Sequence, residues 1–104
     1  MEALDKKEQL NQLFDLYGTL LTEKQFLYFE LYYKEDYSLQ EISEIYTVSR
    51  NAVFDHLKKA EEHLFFYEEK LHLLTLQIKR KELIDQILES NDLTLLEELR
   101  KLDE

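Results

Sequence analysis

All-α is the fold class this sequence predicts, and three observations predict it. There is no proline and only one glycine in 104 residues, so almost nothing in the chain breaks a helix. Leu, Glu, Lys and Gln, all good helix formers, are abundant. Apolar residues recur at spacings of three and four through most of the length, the period of one helix face. A chain of this size makes one domain with one core. Residues 1–104 are expected to be a single all-helical domain, with a helix-turn-helix core at about 20–62 and a C-terminal helical extension at about 63–104.

The first helix should run from about Ala3 to Tyr17, with Leu10, Leu13, Phe14 and Tyr17 on one stripe and Gly18 as a left-handed stop. Thr22-Glu23-Lys24-Gln25 is a capping box that opens a second helix through Phe26, Phe29, Glu30 and Tyr33, ending near Lys34 to Tyr37. Tyr28, Tyr32, Tyr33, Tyr37 and Tyr46 could stack bases, but aromatics at helical spacing beside leucines read as core packing. Ser38-Leu39-Gln40-Glu41 is a second capping box, and Leu39, Ile42 and Ile45 should line the inner face of the helix it opens. Val48 and Ser49 interrupt the period. Ser49 can cap the next helix, whose Val53, Leu57 and Ala60 point back to the same core.

Ser38 to Lys59 therefore reads as helix, tight turn, helix. The outward face of its second helix carries Arg50, Asn51, Phe54, Asp55 and Lys58. In such motifs that face enters the major groove of DNA, its N-terminal residues nearest the base edges. Ser49, Arg50, Asn51, Phe54, Lys58 and Lys59 are the expected nucleic-acid-binding residues. No breaker follows, so one long helix is expected, with Leu64, Tyr67, Leu71, Leu74 and Ile78 continuing the seam and Phe65, Phe66, Leu73 and Leu76 lying off it. That two-sided apolarity predicts either a homodimer built on this helix or cover by the tail. The tail offers Leu83, Ile84, Ile87 and Leu88, a break at Asn91-Asp92, then Leu95, Leu96, Leu99 and Leu102.

Leu21-Thr22-Glu23-Lys24-Gln25, Ser38-Leu39-Gln40-Glu41-Ile42 and Val48-Ser49-Arg50-Asn51-Ala52-Val53 resemble the last domain, region 4, of bacterial sigma factors, over about the middle of the chain. With Tyr46 and the run Ala52-Val53-Phe54-Asp55-His56-Leu57, the whole chain more closely resembles the YlxM family, small helix-turn-helix proteins of Gram-positive bacteria. The resemblance implies a DNA-binding, regulatory role in the signal recognition particle (SRP) pathway. The chain departs from the sigma pattern at Thr47, where glycine commonly makes the turn, and at Phe54 and Asp55, where polar or basic residues often face the groove.

Charge pulls against a simple DNA-binding reading. The net charge is −10, and phosphate neutralisation by cations supplies most non-specific affinity for nucleic acid. The acid lies mainly at the ends: residues 49–82 hold six acids against seven bases, including Arg50, Lys58, Lys59 and the run Lys79-Arg80-Lys81. Two functional classes follow. In one, the motif binds DNA or the SRP RNA. In the other, the acidic exterior docks a basic protein such as the SRP GTPase or its RNA complex.

Enzyme chemistry has little support, with no glycine-rich phosphate loop, nucleophile elbow or His-Glu-x-x-His pair. His56, His63 and His72 are too widely spaced to share one metal on a helix, so no catalytic residue, metal or cofactor is expected. There is no cysteine and no apolar run of membrane-spanning length, which points to a cytoplasmic protein without membrane insertion.

Overall fold

The computed structural model describes residues 5–103. Among them are six α-helices and no strand: α1 (Lys6–Tyr17), α2 (Glu23–Phe29), α3 (Leu39–Tyr46), α4 (Arg50–Leu71), α5 (Leu73–Ser90) and α6 (Leu95–Lys101). A 3-10 turn, Gly18–Leu20, follows α1, and α2 continues into a π-helical turn, Glu30–Lys34. The chain divides between Leu71 and His72 into two compact units.

In the first unit α4 packs against α1, α2 and α3. Leu10, Leu13, Phe14, Tyr17, Leu21, Tyr28, Phe29, Ile42, Val53, Leu57, Ala60 and Leu64 are its buried apolar side chains. Phe14 stacks on Phe29 at 4.5 Å between centroids and meets Phe26 at 4.8 Å. Tyr17 Oη donates to Glu68 Oε1 at 2.7 Å, tying α1 to α4. The expected helix starts are present as chemistry. Thr22 Oγ1 accepts from the Gln25 N–H while Gln25 Oε1 accepts from the Thr22 N–H, and Ser38 and Glu41 repeat the exchange.

Four expectations need correction or relocation. The expected start at Ala3 lies outside the described residues, where nothing is drawn; Asp5 caps α1, its Oδ1 accepting from the Glu8 N–H at 2.8 Å. Gly18 is not left-handed. Its φ is −54°, and a Cβ there would sit 3.2 Å from the Phe14 ring, so the residue serves close packing.

Ile45 does not line the inner face; it is 54% exposed. At about 100° per residue, Leu39, Ile42, Ser43 and Tyr46 share one arc, and Ile45 falls about 110° from its centre. Finally, the long helix is two helices. His72 adopts φ 57° between α4 and α5, so the seam breaks after Leu71. Leu74, on the far side of that break, is 4% exposed while Leu71 and Leu73 stay 50% and 40% exposed.

Tyr33 gives the fold a pH dependence. Its hydroxyl donates to Glu61, and burial, then that hydrogen bond, then the charge of Glu61 raise its pKa above the ordinary tyrosine value of about 10. A group whose folded value is raised contributes stability that is whole below its unfolded value and lost as pH climbs through the folded one. Urea midpoints should therefore fall between about pH 9 and 11 more steeply in wild type than in Tyr33→Phe, which lacks the ionising group. Parallel pH profiles in the two proteins would remove Tyr33 from the alkaline transition.

Candidate nucleic-acid interface

The turn between α3 and α4 sets the angle of the candidate recognition helix. Thr47 closes α3 in the left-handed region, at φ 55°, with its N–H and that of Val48 both donating to the Ser43 carbonyl. For a β-branched residue that conformation costs on the order of 1–3 kcal/mol. It is held by what surrounds it: Ile42 is fully buried, and the buried Ser43 sends its Oγ back to the Gln40 carbonyl at 2.7 Å. Ser49 then starts α4, its Oγ accepting from the Ala52 N–H at 3.0 Å. Capping uses that oxygen as an acceptor and leaves the O–H able to donate outward.

Once α4 is anchored by Val53, Leu57, Ala60 and Leu64, each no more than 5% exposed, its opposite face is fixed by helical geometry. Ser49, Arg50, Asn51, Phe54, Asp55, Lys58 and Lys59 are all exposed. Around α4, Asn51, Phe54, Asp55 and Lys58 fall within about 100° of one another, whereas Arg50 and Lys59 lie about 180° apart, at its start and on its far side. Behind them Tyr28, 2% exposed, holds the motif together: its ring lies 5.4 Å from Tyr46 of α3 and 5.5 Å, edge-on, from His56 of α4.

Cation pairing within the first unit is uneven. Lys6, Lys7 and Lys34 pair with Glu61, Asp36 and Asp15 at 3.7, 3.4 and 3.1 Å. Among the described residues no ion pair engages Arg50, Lys58 or Lys59. The motif also exposes more apolar surface than the sequence suggested, since Ile45 of α3 is 54% exposed in addition to Phe54 of α4 at 52%. Only the angular drift of the short α3 could have revealed Ile45 as a surface residue.

The expected packing seam is distributed differently. Leu64 and Leu74 are buried, Tyr67 and Ile78 are half-buried, and Leu71 is half exposed. Phe66, off the seam, is 52% exposed with Lys70 Nζ 5.7 Å from its ring centre. His63 lies 6.4 Å from the Tyr67 ring and His72 sits at the helix junction. Among the described residues no helix is long and apolar enough to cross a membrane.

Residues 4–102 match the family described as "Putative helix-turn-helix protein, YlxM / p13 like". The UPF0122 protein YofM of Lactococcus lactis subsp. lactis (strain IL1403) is 44% identical over 97% of this chain and 96% of its own length. The UPF0122 protein OB1530 of Oceanobacillus iheyensis is 49% identical over 95% of both chains. A UPF0122 protein of Streptococcus pneumoniae (strain Hungary19A-6) is 50% identical over 83% of this chain and 78% of its own.

Proposed function

We propose that this chain, which belongs to the YlxM/p13-like family of helix-turn-helix proteins, is a non-enzymatic cytoplasmic regulator that binds nucleic acid through the N-terminal face of α4. The observation that carries the reading is a set of exposed cations on one helix with no carboxylate partner: Arg50, Lys58 and Lys59 stand outside any ion pair among the described residues. In this reading Arg50 and Asn51 address base edges, the Ser49 hydroxyl and Lys58 and Lys59 hold phosphates, and Phe54 packs on a thymine methyl or a base. Asp55 limits approach to phosphate. A role in the SRP pathway, with DNA or the particle's RNA as the target, rests on the resemblance to the YlxM family alone. We further propose that the protein acts as a homodimer.

Gel-shift titration at two salt concentrations tests the face. Arg50→Ala should weaken specific binding by about 1–3 kcal/mol, while Lys58→Ala should weaken binding to all sequences and flatten the salt slope by about one ion. Unchanged affinity in both variants would take α4 out of the interface.

A second reading is favoured by the acidity of the first unit, where residues 1–71 hold fifteen acids against eight bases. Such a surface attracts a basic protein, and the SRP GTPase is the candidate the resemblance supplies. Pull-downs from extract with and without nuclease separate the readings: a protein retained after nuclease speaks for docking, and loss of everything speaks for nucleic acid.

A further inference from the structure

The end of the second helix holds a concave site that the α4 face does not use. There α2 loosens into its π turn and closes on a left-handed residue. Asp36 takes φ 59°, the Tyr37 N–H donates to the Leu31 carbonyl at 2.9 Å, and the Glu35 N–H donates to the Glu30 carbonyl at 3.1 Å. An aspartate accepts the left-handed conformation readily. The fold-back brings Tyr37 to a cavity of about 310 Å³ whose other walls are Lys7, Tyr32, Tyr33 and Asp36.

The walls are set before any ligand arrives. Tyr32 and Tyr33 meet at 87° with centroids 4.9 Å apart, forming a corner of two rings. Tyr33 is fixed from two directions, by its contact with Phe29 at 4.5 Å and by donation of its hydroxyl to Glu61. Lys7 Nζ lies 3.4 Å from Asp36 Oδ1, with 59% and 79% of the two side chains exposed. That pair is loosely held, yet it shows the carboxylate at the cavity wall with a cation already seated beside it.

We propose that this cavity receives an arginine side chain from a basic protein segment, the guanidinium lying against a tyrosine face and pairing with Asp36 in place of Lys7. Tyrosine faces attract cations, and a guanidinium combines stacking with a two-pronged match to a carboxylate that an ammonium lacks. The excess of fifteen acids over eight bases in residues 1–71 draws such a segment in. A nucleobase fits less well: the Tyr33 hydroxyl is committed to Glu61, and Asp36 repels the phosphates that would accompany a base. The site shares no residue with the α4 face, so it stands or falls independently of nucleic-acid binding there.

The test is an amide and aromatic NMR titration of the full chain at low salt. The probes are a nine-residue glycine-serine peptide with one central arginine and its twin with citrulline, which keeps the shape and removes the charge. Signals of residues 32–37 should move with the arginine peptide, and the citrulline twin should bind about tenfold more weakly. Asp36→Asn, which keeps the left-handed turn, should weaken the arginine peptide about five- to tenfold. Lys7→Ala should tighten it about two- to fivefold by removing the resident competitor. Equal binding of the two peptides, weakening by Lys7→Ala, or movement of these signals with a single-stranded oligonucleotide and not with the peptide would each overturn the proposal, the last two in favour of an anionic ligand.

Discussion

Phe29→Ala should destabilise the first unit by about 3–5 kcal/mol, the usual cost of emptying a buried phenylalanine site. Phe29 is fully buried, stacks on Phe14 at an interplanar angle of 13°, and touches Tyr33 on its other side. It therefore couples α1 to the π turn at the end of α2. Its neighbours are rings on short helices, which can collapse only partly into the space, so the cavity cost should add to the transfer cost. Against a total of about 5–15 kcal/mol for a domain, such a loss consumes much of the stability. The urea midpoint should fall sharply with little change in slope. Phe54→Ala is the control of the same chemistry. With Phe54 52% exposed on α4, its removal should change stability by no more than about 0.5 kcal/mol. Similar costs for the two variants would mean that the aromatic stack is not the centre of this core.

The contrast between these phenylalanines was legible in the sequence, because Val53, Leu57 and Ala60 fix which way α4 faces and leave Phe54 outside. The capping boxes at Thr22 and Ser38 and the cap at Ser49 were legible for the same local reason, since each needs only a hydroxyl and the N–H three residues on. What local pattern could not separate were competing uses of one residue. A glycine after a helix is required equally by a left-handed turn and by a ring pressed against its Cα, and at Gly18 the second holds. The π turn leaves no signature, because its amides pair five residues back in a run of ordinary helix formers.

The break at His72 was missed although a faint signal existed. Among the described residues, the non-glycine positions with positive φ are Asp36, Thr47, His72 and Asn91. Three of these belong to the residue types enriched in that region. Asn91 was readable because Asp92 follows it and forms an Asx turn, its Oδ1 accepting from the Thr94 N–H at 3.0 Å. His72 stood within an unbroken apolar period, which outweighed it. The tyrosines at the end of the second helix read as core for the same reason. Tyr28 is core, 2% exposed, whereas Tyr32 is 36% exposed and lines a cavity with Tyr33 and Tyr37.

The full chain should sediment as a dimer at tens of micromolar, and Leu88→Glu should raise its dissociation constant about a hundredfold, equivalent to about 3 kcal/mol. The second compact unit begins at His72, so it has little more than thirty residues, below the length at which a chain segment buries enough apolar surface to be stable unaided. Leu74 is its one apolar residue under 9% exposure among those described. Meanwhile Leu73, Ile84 and Leu88 are 40%, 44% and 74% exposed, and at about 100° per residue they fall within about 60° of one another around α5. A stripe of that kind is the surface a second copy would cover. Because Leu88 is so exposed, glutamate at that position should leave the first unit's stability almost unchanged. Its effect is then read as association alone, with a melting temperature that depends on concentration in wild type and not in the variant. A wild-type monomer at tens of micromolar, or a Leu88→Glu protein that dimerises as well as wild type, would put the stripe outside any self-association surface.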